Sequence, residues 1–163
     1  MLKKSVKTNI TSLLSKKFEE EEFQHLFLID VTVNERSGFI RVYLDGDHGV
    51  KFEDCQRMSR YLEEYLDADE DVDEKYTLEV SSPGVKRPLV NIRQYPQHIG
   101  RILVVTWKEN GTESLLLKKV SESEVEFETL PAKKKKKKPA KEIRTFTASF
   151  DSIKEAIVKI SFN

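Results

Sequence analysis

From Arg101 to Phe162 the chain holds five short strand-like runs, the last three of which alternate apolar and polar residues. A period of two is the mark of a strand with one buried face. The runs are RILVVTW (101–107), ESLLLKKV (113–120), EVEFET (124–129), the set Arg144, Phe146, Ala148 and Phe150, and the set Ala156, Val158, Ile160 and Phe162. Asn110-Gly111 lies between the first two and is a hairpin signal, because Asn-Gly readily supplies positive φ. Asp151-Ser152 is a cap for a single helical turn between the last two. So many strands in so short a stretch predict a small β-barrel.

The first half has a different rhythm. Val6, Ile10, Leu13, Leu14 and Phe18 recur at helical spacing and predict a helix over about Lys3–Glu21, with Glu19–Glu22 as its solvated end. FLIDVTV then alternates, placing Phe27, Ile29, Val31 and Val33 on one strand face. FIRVYL places Ile40, Val42 and Leu44 on one face, and the turn cluster NERSG joins the two strands as a hairpin. DGDHG (45–49) reads as a solvated turn. Cys55, Met58, Ser59, Leu62 and Leu66 predict a second helix over about Phe52–Leu66. Asp67–Glu74 is an acidic loop, and Tyr76, Leu78 and Val80 alternate into a third strand. The order α-β-β-α-β predicts helices packed on one side of a small sheet. The fold class is α+β, with an α/β domain over 1–82 and a barrel domain over 83–163.

The formal charge of zero hides a division. Residues 1–80 carry 11 Lys and Arg against 19 Asp and Glu, a net of −8; residues 81–163 carry 17 against 9, a net of +8. An acidic half joined to a basic half points to charged macromolecular partners. Cys55 is the single cysteine, so no internal disulfide forms. MLKKSVKTNITSLL is too interrupted for a signal peptide, and no run approaches the roughly 20 apolar residues that span a bilayer. A soluble protein of a reducing compartment, the cytoplasm, is expected.

The sign of the charge changes at LEVSSPGVKRPLV (78–90). Pro83-Gly84 is a type II turn signal, proline setting φ and glycine taking the positive φ that follows. Ser81 and Ser82 lack the G-x-S-x-G setting of a nucleophile, and His25, His48 and His98 form no pattern with them. The G-x-x-x-x-G-K-[ST] phosphate loop is absent. Two readings stay open: a rigid joint between domains, which composition favours, and a surface where Ser81, Ser82, Lys86 and Arg87 meet RNA phosphate. DGDHG fits a calcium loop at Asp45 and Asp47 but fails at Val50 and Gln56, where glycine and glutamate are needed. Cys55 lies on the apolar stripe of its helix as a structural thiol. Trp107 reads as core or barrel rim. No catalytic residue, cofactor or metal site is expected.

Lys133, Lys134, Lys135, Lys136, Lys137 and Lys138 are consecutive, bracketed by Pro131 and Pro139. They repel one another and cannot be buried, so a loop over 131–140 is expected between the third and fourth barrel strands. It reads as a solvated charge run, as a phosphate clamp or as a nuclear import signal. As a clamp, each lysine contributes about −0.7 to −0.9 to the log–log salt slope of RNA binding.

The segment Val42–Leu89 resembles the signature region of the bacterial RimP family of ribosome maturation factors. The matching elements are D…GV, DC…SR, LD, Y.LEVSSPG and RPL. FTASFDSIKEAIVKISF also resembles the family's closing strand–turn–strand. The resemblance implies a KH-like N-terminal domain followed by an SH3-like or Sm-like barrel. It further implies a non-enzymatic factor for maturation of the small (30S) subunit. Such a factor acts on the immature particle near the central pseudoknot of 16S rRNA and assists incorporation of ribosomal protein uS12. The matching positions are Glu79, Ser81, Ser82, Pro83, Gly84, Arg87, Pro88 and Leu89. Val85-Lys86 departs from the Leu-Asp common in the family, and the lysine loop looks like an insertion with no family role. The expected contact residues are therefore Ser81, Ser82, Pro83, Gly84, Lys86, Arg87, Pro88 and the six lysines, and a monomer is expected. A general single-stranded-RNA adaptor is the competing function. It would need a G-x-x-G loop, which neither SSPG nor DGDHG supplies.

Overall fold

The computed structural model describes residues 3–69, 72, 75–131 and 142–160. The chain divides into two compact units, Met1–Pro83 and Gly84–Asn163. The mixed α+β class expected from the sequence is what the structure shows.

The first unit runs α1 (Ser5–Lys17), β1 (Leu26–Asn34), β2 (Phe39–Gly46), α2 (Phe52–Ala68) and β3 (Thr77–Ser81). The sheet order is β1-β2-β3, with β2 antiparallel to β1 and parallel to β3. A parallel pair requires a crossover, which α2 provides. Val6, Ile10 and Leu14 of α1 and Met58, Leu62 and Leu66 of α2 meet Leu26, Val31, Ile40, Val42 and Leu44 in one core. These are the apolar stripes that the spacing predicts.

Three local details differ from the expected pattern. The first helix ends at Lys17, and Glu21–Phe23 forms a separate 3-10 turn, so the glutamates are not a continuous helix end. In β1 the register slips between Leu28 and Asp30. Leu26 and Leu28 face the core before the slip, and Val31 and Val33 face it after, so Phe27 and Ile29 leave the predicted face. A bulge inserts one unpaired residue and inverts the phase of everything beyond it. Finally, Asp45 and Gly46 extend β2 and are buried, which removes them from the solvated turn. Asp45 Oδ1 accepts from Gly46 N at 2.8 Å, and Asp47 N donates to the His25 carbonyl at 2.9 Å. A Cβ on Gly46 would stand 2.3 Å from the Gly49 carbonyl oxygen, so this crossing admits only glycine.

The second unit runs β4 (Ile102–Trp107), β5 (Thr112–Val120), β6 (Glu124–Thr129), β7 (Thr145–Ser149) and β8 (Ile153–Val158), in the order β7-β6-β5-β4-β8. Every neighbouring pair is antiparallel. No ladder joins β7 to β8 among the described residues, so the five strands form an open sheet and not a closed barrel. The core is Leu103, Val105, Leu115, Leu117, Val125, Phe127, Ala156 and Val158, with Leu89 and Tyr95 added from outside the sheet. A 3-10 turn over Phe150–Ser152 separates β7 from β8 where a single helical turn is expected, and the Ser149 side chain caps it by accepting from Asp151 N. The last strand begins earlier than the alternation predicts and ends at Val158. Ile160 is exposed, and Phe162 lies outside the described residues. In the β4–β5 hairpin only Gly111, the last of the four connecting residues, takes positive φ.

Candidate nucleic-acid interface

LEVSSPGVKRPLV begins as β3. Its alternation puts Leu78 and Val80 opposite Ile40 and Val42 on the core face. Glu79 and Ser81 pair with Arg41 and Tyr43 on the other face. Arg41 Nε lies 3.9 Å from Glu79 Oε2, and the Arg41 guanidinium stacks over the Phe39 ring at 4.7 Å. Ser81 is half-buried on this face, and Ser82 is exposed where the strand ends. A serine nucleophile needs a base hydrogen-bonded to it. Among the described residues neither Ser81 nor Ser82 has a hydrogen bond to a histidine or carboxylate.

The entry to β3 is fixed from two sides. Tyr76 donates its hydroxyl to Asp67 Oδ1 at 2.7 Å, and burial together with that bond holds the phenol well above its ordinary pKa. Gly38, at φ +73, presents its carbonyl to Thr77 N at 2.9 Å. The strand that carries Ser81 is therefore positioned by α2 and by the β1–β2 turn.

Pro83 is the last residue of the first unit and Gly84 the first of the second. Gly84 takes φ +77, as the Pro-Gly pair requires. The turn residues that follow are Val85 and Lys86, both exposed. Arg87 and Pro88 are half-buried, and Leu89 is buried in the second core. Leu89 N donates to the Ala156 carbonyl at 2.7 Å, so β8 anchors the segment immediately after the basic pair. Ser81 to Pro88 are thus joined by the chain itself, three residues in one unit and five in the next. Lys133 to Lys138 lie outside the described residues.

Sequence reasoning does not find the structure that follows Pro88. Asn91 and Gln94 cap a 3-10 turn over Ile92–Gln94: Asn91 Oδ1 accepts from Arg93 N at 2.9 Å, and Gln94 Oε1 accepts from Val90 N and Asn91 N at 2.8 and 3.0 Å. Tyr95 is fully buried against Phe150, ring edge to ring face at 5.8 Å, and burial pushes its hydroxyl up to about 12. The N-x-x-Q spacing of the capping box is the signal that was available.

Cys55 is buried, and desolvation raises its thiol, so it is a poor nucleophile. Among the described residues no group of three or more His, Cys, Asp or Glu is arranged to hold a metal. No described helix is long and apolar enough to cross a membrane.

These features define a mixed α+β protein of two units that carries its most distinctive sequence on an open strand end and the turn beyond it. Residues 14–86 match the family described as the RimP N-terminal domain. The chain is 39% identical over 143 residues to the ribosome maturation factor RimP of Flavobacterium psychrophilum, covering 86% of this chain and 90% of that one. It is 37% identical over 162 residues to the ribosome maturation factor RimP of Christiangramia forsetii, covering 96% and 99%. The chain belongs to the RimP family.

Proposed function

We propose that this chain is a non-enzymatic assembly factor for the small ribosomal subunit. It binds the immature 30S particle in the cytoplasm through 16S rRNA and ribosomal protein uS12. The observation that carries this reading is the 37% identity over 162 residues to a relative named as a ribosome maturation factor, spanning 99% of that relative.

The charge division supports a mechanism. Residues 83–163, taken as the second domain, hold rRNA through phosphate, and Lys133 to Lys138 supply most of the cationic excess. Residues 1–82, taken as the first, are acidic; they avoid RNA and attract a basic ribosomal protein. Ser81, Ser82, Pro83, Gly84, Lys86, Arg87 and Pro88 form the contact segment. Pro83, Gly84 and Pro88 set its path, while the serines, Lys86 and Arg87 make polar contacts.

Co-sedimentation with immature and mature 30S particles tests the reading. Preferential association with the immature particle is the expected result. Equal association with both, or with neither, removes it.

A further inference from the structure

Within the second unit, a groove of about 520 Å³ opens between the β4–β5 hairpin and the 3-10 turn that leads into β8. Trp107 and Phe146 supply its aromatic wall, their ring centroids 6.2 Å apart. Glu109, Glu113 and Asp151 also line it, with Lys108 as the one lining cation among the described residues. Glu113 fixes the indole by accepting from Trp107 Nε1 at 2.7 Å. None of the three carboxylates lies within 4.0 Å of a cationic group among the described residues.

Aromatic faces and unpaired carboxylates recognise the same ligand chemistry. A ring attracts a cation through its quadrupole, and a carboxylate attracts it directly and accepts its hydrogen bonds. Nucleic acid is disfavoured, since a phosphate backbone would meet three like charges. The volume is in the range of sites that enclose one ligand group. We propose that this groove holds an arginine or lysine side chain of an extended, basic protein segment. Only the source of that segment, a ribosomal protein, rests on the function proposed above, with this groove as a contact additional to the acidic residues 1–82; the ligand chemistry stands on the groove.

Trp107 is the only tryptophan in the chain, so its indole N–H resonance reports on this groove alone. The full-length protein is titrated with a ten-residue peptide of alternating arginine and glycine, and with the same peptide carrying citrulline in place of arginine. The arginine peptide is expected to shift the indole resonance and the citrulline peptide to leave it in place. Glu109→Gln combined with Asp151→Asn, both exposed positions, should weaken the peptide about fivefold, the effect of two exposed ion pairs. Unchanged affinity in that variant overturns the proposal, because the peptide is then held elsewhere. So does an indole shift caused by single-stranded oligouridylate, or one caused by deleting Lys133 to Lys138 without peptide. Sedimentation of the unsubstituted protein, set beside its own peptide titration, separates the two readings. A normal peptide response from a protein with no preference for immature particles removes the ribosomal role and leaves the groove. Immature-particle preference with no peptide response does the opposite.

Discussion

The backbone N–H of Leu89 donates to the carbonyl of Ala156 at 2.7 Å, and the Leu89 side chain enters the core that Ala156 helps to form. The segment after Pro83-Gly84 is therefore held by apolar anchoring at its far end. Leu89→Ala removes that anchor and should destabilise the second unit by about 2 kcal/mol, read as a lowered midpoint in urea.

Arg87 stands two residues before the anchor and is half-buried. Arg87→Glu should weaken association with immature 30S particles by more than its loss of stability explains. Sedimentation and urea denaturation on the same preparation give both quantities. Unfolding without a separate binding defect would make the motif structural.

Two glycines separate strain from collision. At Gly84 a Cβ would meet nothing within 4 Å, but φ is +77, so Gly84→Ala should cost about 1 kcal/mol from conformation alone. At Gly46 the added Cβ meets backbone oxygen at 2.3 Å, and Gly46→Ala should cost roughly 3 kcal/mol as the β2 end is forced apart. Equal losses at the two sites would contradict the distinction.

The Tyr95 hydroxyl is fully buried and has no hydrogen-bond partner among the described residues. Tyr95→Phe should be neutral at pH 7 or stabilise by about 1 kcal/mol. The folded-state pKa, about 12, lies above the ordinary value of 10. Burial therefore favours the folded protein's protonated form, and the associated stability is intact below pH 10 and lost as pH rises from 10 towards 12. Urea titrations across that window should show a shallower decline for Tyr95→Phe than for the parent.

Deleting Lys133 to Lys138 should leave the folded sheet intact while reducing RNA affinity. The log–log salt slope should fall by about 4 to 5 if all six lysines contact phosphate. Filter binding across a salt series measures it, and an unchanged slope would show that they touch none.

Apolar runs and period-two alternation located the eight strands of the described residues, because one face of each sheet packs on a core and the pattern survives wherever register is regular. It failed at Phe27 and Ile29, where one extra residue inverts the phase and nothing in FLIDVTV announces the slip. The open order of the second sheet was equally hidden, since alternation says which face is buried and not which edges pair. The stretch from Asn91 to His98 was illegible because short 3-10 turns have no periodicity, only caps. The segment proposed for contact stood out as a string. The aromatic groove did not, because the hairpin residues Trp107 and Glu113 meet Phe146 and Asp151 across more than 30 residues of chain.

Every residue of the first core precedes Ser81, and every residue of the second follows Pro88. The two cores share no residue, so synthesis completes one before it begins the other. At about 5–20 residues per second, roughly 3 to 10 s separate the emergence of Val80 from that of Lys133. The nascent chain can thus display a folded, anionic surface while its polycationic segment is still unmade.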